Sequence, residues 1–405
     1  MRRIYQSIAG AAGVLMFLAV EAGEWSGHVG SQLLAFRKHP LDDAQHTTYL
    51  SLVAEPEYYA ESDDGTMSFR FIPFQRLAQH DARWTHNDIR ELSTTYVSEA
   101  WETTVGISKV FWGVTEVRHL VDIVNQTDLV ENEDGEEKLG QPMAKLSLVP
   151  GLGTLDIFVL PLFRDRTFPG RQGRPRLPVA VNVRDPIFDS SKKRSHVDFA
   201  ARWFQSLGGW DVGLSHFYGT SREPVLVQGV TAAGAVELRP RYDIIHQTGL
   251  EAQLTAGGWL LKFEGIRRTG QGRHFVAIDT GFEYTFSPLA SGLEIGALME
   301  YLYDGRDDEI RSSISGELDA TVFQHDIFVG TRFTFNDVQS TQILGGVIAD
   351  LEGGAKTYNI EASRRVGESW LLAVEIRGVF DTEPGDLLYS RRKDQSLRVE
   401  LDYYF

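Results

Sequence analysis

The chain has 405 residues, with 40 Lys and Arg against 56 Asp and Glu, a formal net charge of −16 and no cysteine. The acidic balance argues against nucleic acid, which asks for clustered positive charge. The lack of cysteine excludes a disulfide, a thiolate metal site and a lipid-anchored N-terminus of the lipoprotein type.

Met1 to Ala22 reads as a secretory signal peptide. Arg2 and Arg3 supply the positive start, Ile8 to Val20 a short uncharged apolar run, and Val20-Glu21-Ala22 the cleavage positions. The run falls short of the ~20 apolar residues of a membrane helix, and no later stretch approaches that length. Residues 23–405 are then expected to form one domain. Removing the leader, which holds Arg2, Arg3 and Glu21, leaves that domain more acidic still.

From Glu24 onward the sequence alternates apolar and polar residues between turn signals, with little helical periodicity. The alternation predicts strands at 24–36, 46–59, 66–76, 90–101, 103–112, 142–149, 153–163, 196–205 and 209–219. It continues with 238–255, 259–268, 274–286, 292–303, 318–335, 338–350, 356–365, 369–381 and 394–405. That makes about 18 strands, with 14–18 as the range. The connections alternate in length around the chain. Those after odd-numbered strands are long, while those after even-numbered strands are as short as Ala256-Gly257-Gly258 and Asn336-Asp337. Outer-membrane barrels pair long outer loops with short periplasmic turns in this way, using tilted strands of ~9–11 residues. The expected fold is therefore all-β, a transmembrane antiparallel β-barrel with long outer loops partly folded into the lumen.

Side chains on a strand alternate between its two faces. Trp259, Leu261 and Phe263 oppose Lys262, Glu264 and Arg268; Val276, Ile278 and Phe282 oppose Asp279 and Glu283; Trp370, Leu372 and Val374 oppose Glu375 and Arg377. Charge on a lipid face is costly, so Glu264, Glu283, Glu375 and Arg377 are expected to point into the lumen and shape the field there. Trp25, Trp259, Trp370, Tyr403 and Phe405 fall near strand ends and are the candidates for an aromatic girdle at the headgroups.

Two connections stand apart. Gly113 to Gln141 holds the apolar run Val117-Arg118-His119-Leu120-Val121-Asp122-Ile123-Val124 and then the acidic run Glu131 to Glu137. A loop that merely solvates itself has no use for the apolar run, so this one is expected to fold inward, with Arg118, His119, Asp122, Asn125 and Asp128 as its plug residues. The acidic run suits a solvated tip; its spacing matches no calcium loop. The second connection, residues 164–195, carries Arg164, Arg166, Arg171, Arg174 and Arg176 and is strongly cationic within an acidic chain. Three causes fit: a cationic ring at the constriction, contact with lipopolysaccharide phosphates, or pairing with the acidic loop.

The chain closes on Leu397-Arg398-Val399-Glu400-Leu401-Asp402-Tyr403-Tyr404-Phe405. Its apolar face ends in Tyr403 and Phe405 and its other face carries Arg398, Glu400 and Asp402. This strand resembles the closing strand of bacterial outer-membrane barrels, whose terminal aromatic is read by the barrel-assembly machinery. The stretch Gly106-Ile107-Ser108-Lys109-Val110-Phe111-Trp112-Gly113, followed by Asp122-Ile123-Val124-Asn125-Gln126-Thr127-Asp128-Leu129, resembles a family of uncharacterised proteobacterial porin-like barrels. That family carries Trp-Gly and then an Asp-Val-Val-Asn-Pro-x-Asp-Leu-like segment; here Gln126 and Thr127 stand where proline is common. The resemblance covers roughly 100–175 and implies an outer-membrane channel or transporter. Some relatives resemble alginate-export barrels, which adds polysaccharide passage to the alternatives.

The 11 histidines lack a metal-binding cadence, and no Gly-rich phosphate loop follows a strand and opens a helix. Ser215 and His216, beside Asp211, are the nearest approach to a hydrolase site, but alternation puts Ser215 and His216 on opposite faces. No catalytic residue, metal or cofactor is expected. The expectation is a Gram-negative outer-membrane channel for a small polar, anionic solute, selected at a loop-built constriction, with membrane lipid and lipopolysaccharide around it. A surface receptor or adhesin, or an export barrel without open diffusion, is the alternative.

Overall fold

A computed structural model describes residues 23–149, 151–231, 234–272, 274–286, 292–306, 317–318 and 321–405. The expected leader, 1–22, lies outside the described residues. In chain order the strands are β1 (Glu24–Phe36), β2 (Thr48–Glu61), β3 (Met67–Ala78), β4 (His86–Val97), β5 (Trp101–Ser108), β6 (Gln141–Leu148), β7 (Thr154–Leu160) and β8 (Ile187–Phe188). There follow β9 (Asp198–Leu207), β10 (Trp210–Thr220), β11 (Val225–Val230), β12 (Val236–Tyr242), β13 (Ile244–Ala256), β14 (Trp259–Thr269), β15 (Phe275–Phe286) and β16 (Glu294–Asp304). The chain ends with β17 (Glu317–Leu318), β18 (His325–Thr334), β19 (Gln342–Asp350), β20 (Lys356–Val366), β21 (Trp370–Phe380) and β22 (Ser396–Tyr404).

Eighteen of these strands form one antiparallel sheet in which each pairs with its neighbours in sequence. β1 pairs with β2 on one side and with β22 on the other, Leu33 facing Val399, so the sheet closes on itself. The remaining four, β8, β11, β12 and β17, form a separate small sheet at the long-loop end. Closure leaves no unpaired edge in the barrel, which is what a sheet in hydrocarbon requires. No described helix is long and apolar enough to cross a membrane.

The usual order of inside and outside is reversed. Val329 is 55% exposed, and Leu250, Leu261 and Val276 also face outward. Within the barrel, Glu264, Asp279, Glu300 and Arg90 are almost fully buried. The wall is thus apolar where it meets lipid and polar where it meets the lumen, the distribution of a transmembrane barrel.

All 18 predicted strands correspond to barrel strands, but the expected strand 318–335 begins in the barrel only at His325, Leu318 belonging to β17 of the small sheet, and two further boundaries moved for a physical reason. The expected strand 103–112 stops at Ser108, because Val110 and Trp112 continue the alternation while the chain leaves the wall and packs inside the lumen. The expected strand 238–255 is two strands broken at Asp243: β12 pairs with β11 in the small sheet, and β13 belongs to the barrel. Alternation reports that a segment is extended; it does not report which sheet the segment joins.

The outward face gives a first test. Val329 sits near the middle of β18, so Val329→Arg is expected to destabilise the refolded barrel by ~2–4 kcal/mol, whereas Val329→Leu is expected to be neutral. Urea unfolding in lipid vesicles measures both.

Candidate lumen constriction and its charge clusters

The connection between β5 and β6, residues 109–140, leaves the rim and crosses the lumen. Its neck is tied by Asn125: the side-chain oxygen accepts the Val110 N–H at 2.9 Å, and the amide donates to the Ser108 and Leu139 carbonyls, each at 2.9 Å. Trp112, Leu120, Val121, Ile123 and Val124 form an apolar core with Phe158, Phe217, Ile245, Ile266 and Phe275 of the inner wall. This part of the lumen is filled, which explains the apolar run.

One limb of the loop lies on β14, β16 and β18. The Glu264 carboxylate accepts the backbone N–H groups of Val114 at 2.6 Å, Thr115 at 3.0 Å and Val121 at 3.1 Å, together with the Thr115 hydroxyl at 2.7 Å. Glu300 takes the N–H groups of Glu116 at 2.7 Å and Val117 at 2.9 Å. Backbone donors in a segment without regular structure have no partners of their own, and these two wall carboxylates supply them. The chain turns onto Glu264 at Gly113, where φ is +139° and a Cβ would stand 2.9 Å from both Glu264 and His119. The Glu116 side chain then pairs with Arg332 at 2.8 Å and Lys262 at 3.3 Å.

The other limb uses the opposite chemistry. Asp128 pairs with Arg90 at 2.9 Å and Glu131 with Arg76 at 2.6 Å. Arg377 reaches Asp134 at 2.6 Å, Asn132 accepts from Arg377 and Arg398 at 3.1 Å each, and Glu133 pairs with Arg391. The acidic run is therefore bound to arginines of the wall and of the 381–395 connection. Among the described residues no ion pair joins 131–137 to the cationic segment 164–195. Between the limbs, His119 Nε2 lies 3.2 Å from Glu136, and Nδ1 lies 3.8 Å from Glu264, an ionic contact rather than a hydrogen bond. Burial alone would lower the His119 pKa, but Glu136 and Glu264 raise it to about 10. Asp122 pairs with Lys138 at 3.2 Å.

Two cavities flank this bar. Towards the short-turn end lies one of about 700 Å³, bounded by β1–β4, β18–β22 and the loop. Ten carboxylates and five Lys and Arg side chains line it, Glu375 and Arg398 among them. Towards the long-loop end lies one of about 400 Å³ lined by six Lys and Arg side chains and His119 against five carboxylates. The cavities meet at the Asp134–Glu136 tip of the loop.

The cationic character of the outer cavity centres on Glu223. Its carboxylate accepts from Arg268 at 2.6 Å, Arg118 at 3.1 Å and Arg306 at 3.2 Å. Burial would raise the Glu223 pKa, yet Arg306, Arg268, Arg118 and Arg166 hold it well below the ordinary carboxylate range. Arg166 approaches no described carboxylate to ion-pair distance. Its guanidinium makes only 3.4 Å contacts to Gln126 and Thr127.

The sequence candidates divide as follows. Arg118, His119, Asp122, Asn125 and Asp128 all lie in the loop that crosses the lumen. Glu264 is covered by that loop, Glu283 pairs with Arg332 at 3.3 Å, and Glu375 pairs with Arg377 and lines the inner cavity. Arg164 pairs with Asp88 at 2.7 Å. The structure does not bring Arg171, Arg174 or Arg176 to the outer cavity. Arg171 is exposed, Arg174 pairs with Asp394 at 2.7 Å, and Arg176 pairs with Asp42. Trp25, Trp259, Trp370, Tyr403 and Phe405 are all exposed at the short-turn end, with Trp370 and Tyr403 in ring contact at 5.1 Å. Ser215 is buried inward while His216 is exposed, its Nδ1 2.9 Å from the Thr248 hydroxyl. Sequence reasoning missed Glu223 and Arg306, which sit in connections whose strand context carried no lumen signal.

No protein-family model matches this sequence, and no curated protein does. Among solved structures the chain is similar to OccK5 (OpdH) of Pseudomonas aeruginosa, with a TM-score of 0.54 and 10% identity over 95% of this chain and 98% of that one. It is also similar to a BenF-like porin from Pseudomonas fluorescens, with a TM-score of 0.56 and 10% identity over 95% and 99% of the two chains. What they share is the fold, a closed porin-like β-barrel.

The His119 contacts have a sign. A pKa raised above its unfolded value stabilises the folded arrangement fully below about pH 6.5, and the contribution is lost as pH rises through about 10. Single-channel conductance is expected to stay flat from neutral pH to about 9 and to rise near pH 10 as the loop tip loosens. His119→Gln is expected to remove that step.

Proposed function

We propose that the protein is a channel of the Gram-negative outer membrane that passes a small polar, anionic solute, selected electrostatically where the 109–140 loop narrows the lumen. The observation that carries this reading is the loop itself. It is fastened to the wall at both limbs, fills one side of the lumen with apolar contacts, and leaves charged cavities on either side. A packed display barrel has no need of such cavities. The anionic preference rests on the outer cavity, where Arg118, Arg268 and Arg306 converge on one carboxylate and Arg166 lines the same space, and such a field raises the local concentration of anions. Fork-shaped guanidinium donors suit carboxylate or phosphate groups.

The reading carries an orientation. The long-loop end faces the outside and the short-turn end the periplasm, and β22 is the strand offered to the assembly machinery. The rival reading, a surface receptor or adhesin, is favoured by the small sheet of β8, β11, β12 and β17 that stands among the outer connections.

Planar-bilayer recording of the refolded barrel in a salt gradient separates the two. A stable conductance with an anion-selective reversal potential is expected, and Arg166→Gln with Arg268→Gln is expected to cut the anion-to-cation permeability ratio by about fivefold. A barrel that stays silent even after removal of 113–141 would move the assignment to display or binding.

A further inference from the structure

Outside the lumen, a compact polar group interrupts the apolar pattern of the wall on three neighbouring strands. His216, Thr248 and Arg267 stand side by side, in register, on the outward face of β10, β13 and β14. Tyr218 and His246 occupy the next outward row towards the rim, with ring centroids 4.7 Å apart, and the His216 and His246 rings are 5.7 Å apart. His216, His246, Thr248 and Arg267 are exposed. Arg267 has no hydrogen bond or ion pair with any described residue. An unpaired guanidinium on a lipid-facing wall is expensive unless an anion meets it there.

Depth identifies the anion. Arg267 stands eight positions along β14 from Trp259, the aromatic at the short-turn end. At ~3.3 Å per residue and a tilt of ~45° that is about 20 Å across the membrane, close to the upper boundary of an apolar band ~25 Å tall. Below the row the outward face returns to Leu214 and Leu250, and Val276 lies directly beside Arg267. The site is polar at headgroup level and greasy beneath.

We propose that this patch binds the phosphate-bearing headgroup of an anionic lipid of the outer leaflet. Arg267 supplies the fork to the phosphate, His216, His246 and Thr248 supply further donors, and Leu214, Leu250 and Val276 seat the acyl chains. A dissolved phosphate would meet only the outward faces of three neighbouring strands. A phosphate held at that depth by its own chains is delivered to the row. The inference rests on the orientation proposed above and stands whether or not the lumen conducts.

The test uses the purified full-length barrel in detergent and native mass spectrometry of retained lipid. The probes are bisphosphorylated lipid A, the same glycolipid without phosphates, and inorganic phosphate. The phosphorylated lipid is expected to be retained about tenfold more than the dephosphorylated one. Arg267→Gln with His246→Gln is expected to abolish the difference. Arg364→Gln is the control: Arg364 is an exposed outward arginine at the short-turn end, opposite Leu372. Heat-dependent gel mobility reports that each variant is still a closed barrel. If the double variant does not fold, Arg267→Lys, which keeps the charge and loses the fork, is expected to cut retention severalfold. Equal retention of the two glycolipids, displacement of the lipid by inorganic phosphate, or loss in the Arg364 control as large as in the Arg267 variants would overturn the proposal.

Discussion

Hydrocarbon offers no partner to a peptide group, and that single constraint organises the molecule. Eighteen strands pair in sequence until β22 meets β1, and every wall strand then has two neighbours. Once the sheet is closed, its outer face must be apolar across the hydrocarbon, and charged residues at that depth have the lumen to occupy. The polar interior is a result of closure, whatever further use it has.

The interior charges then serve the loop. A 32-residue connection without regular structure carries backbone donors into a space where it must find acceptors, and Glu264 and Glu300 provide them. The second limb solves the same problem with side chains, its carboxylates reaching Arg76, Arg90 and Arg377. Asp128 and Glu131 meet Arg90 and Arg76 where all four side chains are buried, so salt screens these pairs little, as it does the backbone donors held on Glu264 and Glu300.

Much of this was legible in the sequence because alternation and connection length are local signals. The strand count, the long and short connections and the inward 113–141 segment all follow from residue order. The apolar run 117–124 pointed inside because nothing outside a barrel could bury it. What was not legible depends on which distant residues meet. Arg171, Arg174 and Arg176 form a conspicuous cationic stretch, yet they sit among outer connections such as those holding Asp42 and Asp394. Glu223 is an isolated acid in the sequence and becomes the hub of the outer cavity only when Arg118, Arg268 and Arg306 converge on it. The small sheet escaped notice because the alternation of β12 runs on as far as Ile244, and Pro240 and the adjacent Ile244 and Ile245 were the local hints that the run did not belong to one barrel strand.

The two cavities differ in sign along the axis of the barrel. Cationic side chains prevail on the long-loop side of the bar and carboxylates on the short-turn side. For a mobile anion the first is a well and the second a step, and for a cation the order is inverted. In a conducting lumen, fixed charge layered in this way would act as a diode: current driven in one direction would fill the two compartments with carriers and current driven in the other would empty them, so the long-loop and short-turn ends would be electrically distinguishable even in identical solutions.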